Sequence, residues 1–259
     1  MEKGPKIAIA GTTFMLLLVG LRVGLIYRAN HEAGPAPQNS YANIPVDPDD
    51  NVFLRKEYPD SLADQRALIG KTLWVSAGGQ LAYYSDKGNH VDYAKPLGNL
   101  LGATPLLIKG VFEQKAPASG PAVFRIPAGQ RQVLLAFTMP ASSHPTTLYA
   151  TPVGDFQNGS YNFVNDEVFF YDDPHKLYNF WGPAMWSTID KHLAVLGMSE
   201  NQAMMSLGEV TTPSSDDTGN RTVLFDNNGH PLRIVFVNNK AVKITPVPVT
   251  PSTSANPAG

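Results

Sequence analysis

Residues 197–208 read Gly-Met-Ser-Glu-Asn-Gln-Ala-Met-Met-Ser-Leu-Gly, a stretch that predicts a short helix with both ends marked. Ser199 and Gln202 are three residues apart and fit a capping box, in which each side chain accepts a hydrogen bond from the other residue's backbone N–H. Gly208 fits the left-handed position that often ends a helix. Gly197 is expected to end a preceding helix in the same way. The sequence therefore predicts two helices joined by a tight turn.

The preceding helix is predicted to begin at Gly182 and Pro183, because proline suits the first helical position. Apolar residues then recur at intervals of four, four and three, at Met185, Ile189, Leu193 and Leu196. This spacing places them in one stripe along three helical turns. The sequence therefore predicts a helix that buries this stripe and runs to Gly197.

The residues after the second helix predict an antiparallel meander. Two strand-like runs, Thr222–Phe225 and Leu232–Val237, flank Asn227-Asn228-Gly229. An Asn-Gly pair between apolar runs is the strongest short hairpin signal. A second turn then leads into a third strand, Ala241–Ile244. Two helices followed by a three-stranded sheet are the expected order.

Three stretches of this region together resemble a known family. They are Gly-Met-Ser-Glu-Asn-Gln at 197–202, Leu-Gly at 207–208 and Val-Phe-Val-Asn-Asn-Lys-Ala-Val at 235–242. On these, residues 183–244 resemble the SmpA/OmlA-like domain, which occurs in a lipoprotein subunit of the bacterial outer-membrane β-barrel assembly machinery. The chain departs from the family because it has no lipid-bearing Cys and has Glu209-Val210 where proline is common. The resemblance implies a small helix-and-sheet fold and a role in envelope assembly.

The middle of the chain, residues 51–171, predicts a mostly-β unit. Short apolar runs alternate with Gly- and Pro-containing turns: Thr72–Val75, Leu81–Tyr84, Leu106–Phe112, Ala122–Ile126, Val133–Phe137 and Leu148–Thr151. This alternation is typical of a small barrel or sandwich. The stretch Gly-Lys-Thr-Leu-Trp-Val at 70–75 is similar to the start of an SH3-type β-barrel. A short helix capped by Ser61, with Asp64 at its third position, is expected before these strands.

The N-terminal residues predict a membrane anchor. Within Ile7–Tyr27 the only charged residue is Arg22, and the span would be about 31 Å long as a helix, close to the thickness of a bilayer core. Lys3 and Lys6 precede it and favour an N-terminus inside the cell. A cleaved signal peptide is the alternative, but the best-placed pair of small residues is followed by a proline.

Two further segments are rich in proline and poor in apolar residues, which predicts a linker and a tail rather than folded structure. The resulting organisation is an anchor at 1–28, a linker at 29–50, a mostly-β domain at 51–171, an ααβββ domain at 172–245 and a disordered tail at 246–259. The predicted fold class is α+β, with an N-terminal transmembrane helix, a barrel-like β unit and the two-helix meander unit.

The amino-acid composition excludes several classes of function. Lys plus Arg number 20 and Asp plus Glu number 22, and this net charge of −2 argues against a nucleic-acid binder. The absence of cysteine excludes disulfides, thiolate metal sites and a Cys nucleophile. Asp172-Asp173-Pro174-His175 contains metal-ligand side chains, but Pro174 favours an acidic turn with a helix cap. No metal and no cofactor are predicted.

No catalytic residue is predicted. Asp190 and His192 are two apart in the first predicted helix, so they would point in different directions and face solvent rather than act as a pair. Asp166 and Glu167 stay open as a carboxylate pair for glycan cleavage, because their separation in space does not follow from the sequence.

Nine of the 25 aromatic residues lie between Tyr161 and Trp186. Rings of this size are expected to pack the β domain against the helical domain. The alternative is an exposed platform for a peptide, glycan or lipid. The candidate interaction surface consists of Phe169, Phe170, Tyr171, Tyr178, Phe180, Trp181 and Trp186.

Together these features predict a single-pass protein of the bacterial inner membrane with a periplasmic C-terminal region. The expected role is a non-enzymatic interaction or scaffold module, held in the membrane through Ile7–Tyr27. Its expected partner is an envelope protein and not a nucleic acid. The alternatives are a cell-envelope hydrolase and a carrier of lipids or other apolar ligands.

Overall fold

The computed structural model describes residues 19–28, 48–79, 81–118 and 129–248. The chain divides into two compact units, residues 1–47 and residues 48–259. In the first unit, residues 19–28 form helix α1. Among the described residues, no helix has the length and apolar character needed to cross a membrane. Most of the predicted span Ile7–Tyr27 lies outside the described residues.

The second unit contains five α-helices and twelve strands in its described part. The helices are α2 (Leu62–Arg66), α3 (Asn165–Val168), α4 (Pro174–Leu177), α5 (Gly182–Ile189) and α6 (Glu200–Leu207), with 3-10 helices at Pro48–Asn51 and Asn179–Trp181. The strands are β1 (Thr72–Val75), β2 (Ala82–Ser85), β3 (Gly98–Asn99), β4 (Pro105–Lys115), β5 (Arg131–Thr138), β6 (Tyr149–Gln157), β7 (Ser160–Phe163), β8 (Phe169–Phe170), β9 (Val210–Pro213), β10 (Thr222–Phe225), β11 (Leu232–Val237) and β12 (Lys240–Pro246).

Eight strands form an antiparallel sheet that curls into a half-barrel, in the order β3-β2-β6-β5-β4-β1-β8, with β7 paired to β6. The predicted α+β class is confirmed. The apolar runs near β1, β2, β4, β5 and β6 are strands, whereas Ala122–Ile126 lies outside the described residues. Strands β3 and β8 have two residues each and are too short for an alternating pattern to predict, and β7 was not among the predicted runs.

Both faces of the half-barrel are buried. One face packs Leu106 and Phe137 with other apolar side chains, and the opposite face packs Leu134 beneath the loop of residues 86–97. The Gln114 side chain holds this loop, because it both donates to and accepts from the backbone of Val91 at 2.8 Å. Seven of the eight residues of β5 are therefore buried.

The C-terminal sheet has the order β12-β11-β10-β9, one strand more than the predicted three. Strand β9 pairs with β10, although its sequence Val-Thr-Thr-Pro lacks the apolar alternation that predicts a strand. The predicted hairpin is confirmed, with φ of +45° at Asn227 and +54° at Asn228 between β10 and β11. Ile189 and Met198 pack against this sheet in a second core.

Helix α5 ends at Ile189, so the prediction that it continues to Gly197 is wrong. The chain turns at His192, whose φ is +53°. Leu193 and Leu196 are 52% and 65% exposed and do not extend the buried stripe.

Tertiary hydrogen bonds explain this early end. The N–H of Gly197, which a continuing helix would direct to the carbonyl of Leu193, donates to the carbonyl of Ala241 in β12 at 2.8 Å. The carbonyl of Leu193 accepts the hydroxyl of Ser206 at 2.9 Å. Partners in other elements thus replace the bonds of another helical turn.

Helix α6 begins and ends as predicted. The Ser199 hydroxyl accepts the N–H of Gln202 at 3.2 Å, and the Gln202 side chain accepts the N–H of Ser199 at 2.9 Å. Gly208 ends the helix with φ of +103° and ψ of −176°, a positive φ that is not the predicted left-handed helical conformation. The next N–H, that of Glu209, donates to the carbonyl of Gly78 in the half-barrel at 3.1 Å. The boundary predicted near residue 171 therefore lies inside one compact unit.

Candidate functional site

The seven aromatic residues predicted as an interaction surface divide into a buried and a more exposed group. Phe169 and Tyr171 are buried in the core of the half-barrel, and Phe170 and Trp186 are buried in the C-terminal core. Tyr178 and Trp181 are half-buried, and Phe180 is 46% exposed. The first four rings join the two sheets, and only the other three contribute to a surface.

The more exposed rings belong to a stack. The centroids of Tyr178 and Trp181 are 4.5 Å apart, and those of Trp181 and Trp186 are 5.2 Å apart. The imidazole of His175 follows at 4.1 Å from Trp186. Phe180 meets Trp181 edge-on at 6.3 Å. The stack therefore links a surface aromatic residue to a buried tryptophan and a histidine.

Residues 48–60, here termed the strap, contact this stack at their first anchor point. The carboxylate of Asp49 accepts the indole N–H of Trp181 at 2.7 Å and the side-chain amide of Asn201 at 3.1 Å. The last residues of the predicted 29–50 linker are thus a 3-10 helix fixed to the folded unit.

The second anchor point is Asp166. Its carboxylate accepts the backbone N–H groups of Glu57 at 3.1 Å and Tyr58 at 2.8 Å, and the hydroxyl of Tyr171 at 2.8 Å. Burial raises the pKa of Asp166, but these hydrogen bonds outweigh the burial and the net shift is downward. Asp166 is therefore an ionised anchor for the strap.

The strap presents large apolar side chains to solvent. Between the anchors, Arg55 lies 3.3 Å from Asp172, with its guanidinium 5.5 Å above the ring of Tyr171. Phe53 is 91% exposed and Tyr58 is 80% exposed. Apolar side chains exposed on a fixed backbone are typical of interaction sites. Phe53 and Tyr58 fall at the start of the predicted mostly-β domain, and the sequence did not predict this surface, because composition does not reveal which residues dock.

A cleft of about 410 Å³ opens between the half-barrel and the C-terminal part. Residues 102–105, Met139, Ala141 and Ser142 line it from the half-barrel, and His175, Asp190 and His192 line it from the C-terminal part. Its volume is in the range of small-molecule sites.

His175 is held between two carboxylates. Its Nδ1 is 3.0 Å from Asp173 and its Nε2 is 3.0 Å from Asp190. Because an ionised carboxylate only accepts hydrogen bonds, the ring satisfies both when each nitrogen carries a proton. Asp173 also caps α4 by accepting the N–H of His175 at 3.0 Å, as the predicted turn requires. In the described part of the chain, no group of three or more His, Cys, Asp or Glu side chains is arranged so that it could hold a metal ion.

His192 is fixed by a carbonyl. Its Nδ1 lies 3.1 Å from the carbonyl oxygen of Ser206, so this nitrogen is the donor and Nε2 of the neutral ring is an acceptor. Asp190 is half-exposed, as predicted, and its hydrogen bond is to His175 rather than to His192. The predicted placement of both residues in a helix is wrong, because α5 ends before them and both line the cleft. Ser142 donates to the carbonyl of Met139 at 2.8 Å rather than to a histidine.

A row of polar side chains crosses one face of the half-barrel. Gln114, Gln132, Asp155 and Asn162 are register neighbours on β4, β5, β6 and β7. Oε1 of Gln132 and Oδ2 of Asp155 are buried and have no hydrogen-bond partner among the described residues. Burial raises the pKa of Asp155 above its ordinary value of 3.8, and Asn162 offsets only part of this shift. A protonated Asp155 donating to Gln132 would satisfy both oxygens.

Asp155 should therefore make the protein less stable as the pH rises. Above a pH of about 4 the unfolded chain releases the Asp155 proton while the folded chain keeps it, so stability falls until the folded carboxyl also ionises. We expect Asp155→Asn to remove this slope and to raise the free energy of unfolding at pH 7 by about 1 kcal/mol, because the amide can donate to Gln132. Urea unfolding at several pH values between about 4 and 7 measures both the slope and the free energy of unfolding. An exposed control, Asp60→Asn, should retain the slope, and a slope that persists in Asp155→Asn would contradict the interpretation.

No protein-family model, no curated protein and no solved structure matches this chain. The strap and the cleft are consequently the features from which function is inferred.

Proposed function

We propose that this chain is a single-pass membrane protein of the bacterial cell envelope whose extracytoplasmic part binds another envelope protein through the strap. The observation that carries the proposal is the exposure of Phe53 and Tyr58, 91% and 80%, on a backbone fixed by Asp49 and Asp166. Aromatic side chains supply much of the binding energy at protein interfaces. A backbone that is already fixed loses little conformational entropy on binding.

The N-terminal sequence supports the membrane placement. Ile7–Tyr27 has the length of a bilayer core and one charged residue. In the sequence, the Pro-rich segment 29–47 separates this span from the strap.

The C-terminal architecture supports an envelope role. Residues 183–244 carry the sequence resemblance to the SmpA/OmlA-like domain, and in this part of the chain helices α5 and α6 precede an antiparallel sheet. Participation in outer-membrane or envelope assembly belongs to the proposal on this basis.

Photo-crosslinking in intact bacteria tests the proposal. The full chain carries the photoreactive residue p-benzoylphenylalanine at position 53, and a matched control carries it in place of Ile69, which is 47% exposed outside the strap. We expect a discrete adduct with an envelope protein at position 53 only.

Alkaline phosphatase fused after Asp50 should be active, because it folds only outside the cytoplasm. Adducts at both positions or at neither, or an inactive phosphatase, would contradict the proposal.

Substitutions in the strap should separate binding from folding. Phe53→Ala is expected to change the free energy of unfolding by no more than about 0.5 kcal/mol. In a chain that carries p-benzoylphenylalanine at position 58, the same substitution is expected to lower crosslinking at least about tenfold. Asp49→Ala is expected to lower the free energy of unfolding by about 1.5–3 kcal/mol, since it removes the bonds to Trp181 and Asn201. Urea unfolding followed by tryptophan fluorescence measures the stability of both variants. Full crosslinking in Phe53→Ala would show that the strap is not the contact surface.

A further inference from the structure

The cleft carries hydrogen-bond acceptors that no described residue uses. Asp190 is half-exposed, and one of its two carboxylate oxygens is engaged by His175 at 3.0 Å. Nε2 of His192 is the second acceptor when the ring is neutral, because Nδ1 then carries the hydrogen donated to the carbonyl of Ser206. Since both side chains line the same cleft, a group bound there has to supply hydrogens.

The charge beside the cleft is negative. Two carboxylates, of Asp173 and Asp190, face one imidazole, so the cluster sums to −1 when His175 is protonated and to −2 when it is neutral. None of the described lining residues is Lys or Arg. Lys176 and Lys191 are near in sequence but are exposed and do not line the cleft. The electrostatic preference is therefore for a cation.

The remaining lining is largely apolar. Ala103 and Pro105 contribute from the start of β4, and Met139 and Ala141 contribute from the loop after β5. Small-molecule sites commonly combine such a surface with a few polar groups that fix the orientation of the ligand. A ligand that fits has its donor group next to a short apolar chain.

The geometry points to a binding site for a primary ammonium group on a short apolar chain, as in an alkylamine or the first residue of a peptide. An ammonium group has three donors and one positive charge. It can donate to Asp190 and to His192 while its chain covers Ala103 and Met139. A carboxylate would be repelled by the negative charge of Asp190. An alcohol is neutral and would gain no ionic attraction. This site is separate from the strap and does not depend on the proposed function.

Isothermal titration calorimetry of the full chain with n-butylammonium tests the site. We expect saturable binding with a Kd in roughly the millimolar range, as is reasonable for a ligand with so few atoms. The matched probes n-butanol and butyrate should bind at least tenfold more weakly. Asp190→Asn, which can still accept from His175, should weaken butylammonium binding at least tenfold. Asp226→Asn, an exposed carboxylate in the β10–β11 turn, should bind like the parent chain.

The alternatives have distinct outcomes. Butanol binding as tightly as butylammonium, or an unchanged constant in Asp190→Asn, would overturn the proposal in favour of a purely apolar cleft. Butyrate binding would overturn it in favour of an anion site. His192→Asn is a second variant, which removes the imidazole acceptor and should also weaken butylammonium binding. Asparagine tolerates the positive φ at this position. The absence of both saturable heat and any shift of the His192 ring resonances would show that no amine binds.

Discussion

Alanine at position 102 should destabilise the protein by about 3 kcal/mol or more, at the upper end of what overpacking costs. A Cβ atom on Gly102 would lie 2.0 Å from the carbonyl oxygen of Met205 and 3.0 Å from its carbonyl carbon. Both atoms belong to the backbone of α6, so no side-chain rotation relieves the clash. The loop before β4 and helix α6 would have to separate, and the contact between half-barrel and C-terminal part would loosen.

The matched control for this prediction is Gly110→Ala in β4. A Cβ atom there would meet the Cβ of Ala136 at 3.6 Å, an ordinary van der Waals distance. We expect the control to change the free energy of unfolding by no more than about 1 kcal/mol. Urea unfolding of the full chain, followed by tryptophan fluorescence, measures both variants. Equal midpoints for the two alanine variants would mean that Gly102 and Met205 are not in close contact.

Local signals were sufficient for several elements of this fold. Ser199, Gln202 and Gly208 define both ends of α6 through bonds between residues that are close in sequence, so their pattern predicts the helix correctly. The hairpin around Asn227 is equally local, because asparagine and glycine readily adopt the positive φ that its turn needs.

Contacts between distant residues account for what the sequence did not predict. Leu193 and Leu196 have helical spacing, but the Gly197 N–H bonds to Ala241 instead of to Leu193, and no local pattern reports that partner. Strand β9 is likewise formed by pairing with β10 rather than by its own apolar alternation.

The candidate sites likewise combine features that the local sequence predicts with features that depend on distant contacts. The aromatic cluster was evident from composition, but the fixed strap depends on Asp49 meeting Trp181 and Asn201, which are more than a hundred residues away. The cleft depends on the end of α5, which moves Asp190 and His192 out of a helix and onto a common wall. Chemically suitable residues are visible in a sequence, whereas their convergence follows from tertiary structure.

Glu200 forms a buried ion pair in the C-terminal part. Its removal should destabilise the protein about as strongly as the substitution of Gly102. Oε1 of Glu200 lies 2.6 Å from Nη2 of Arg221, and the two side chains are only 5% and 13% exposed. Oε2 accepts the N–H of Gly219 at 2.8 Å. Substitution by alanine leaves Nε and Nη2 of Arg221 and this N–H without their acceptor, whereas Nη1 keeps its partner, the carbonyl of Ser215. The expected cost is that of a broken buried pair, about 3–5 kcal/mol.

Three comparisons make the Glu200→Ala prediction specific. Glu200→Gln keeps the shape and an acceptor oxygen, so it should lose less stability than alanine does. The double variant Glu200→Ala, Arg221→Ala should lose less than the sum of the single variants, because it leaves no unpaired buried charge. Lys95→Ala removes an exposed pair with Asp92, in which the lysine is 82% exposed, and should cost no more than about 0.5 kcal/mol. Urea unfolding of the full chain measures these four variants and the single variant Arg221→Ala. A loss of stability in Glu200→Ala no larger than that in Lys95→Ala would show that the buried pair does not stabilise the C-terminal sheet.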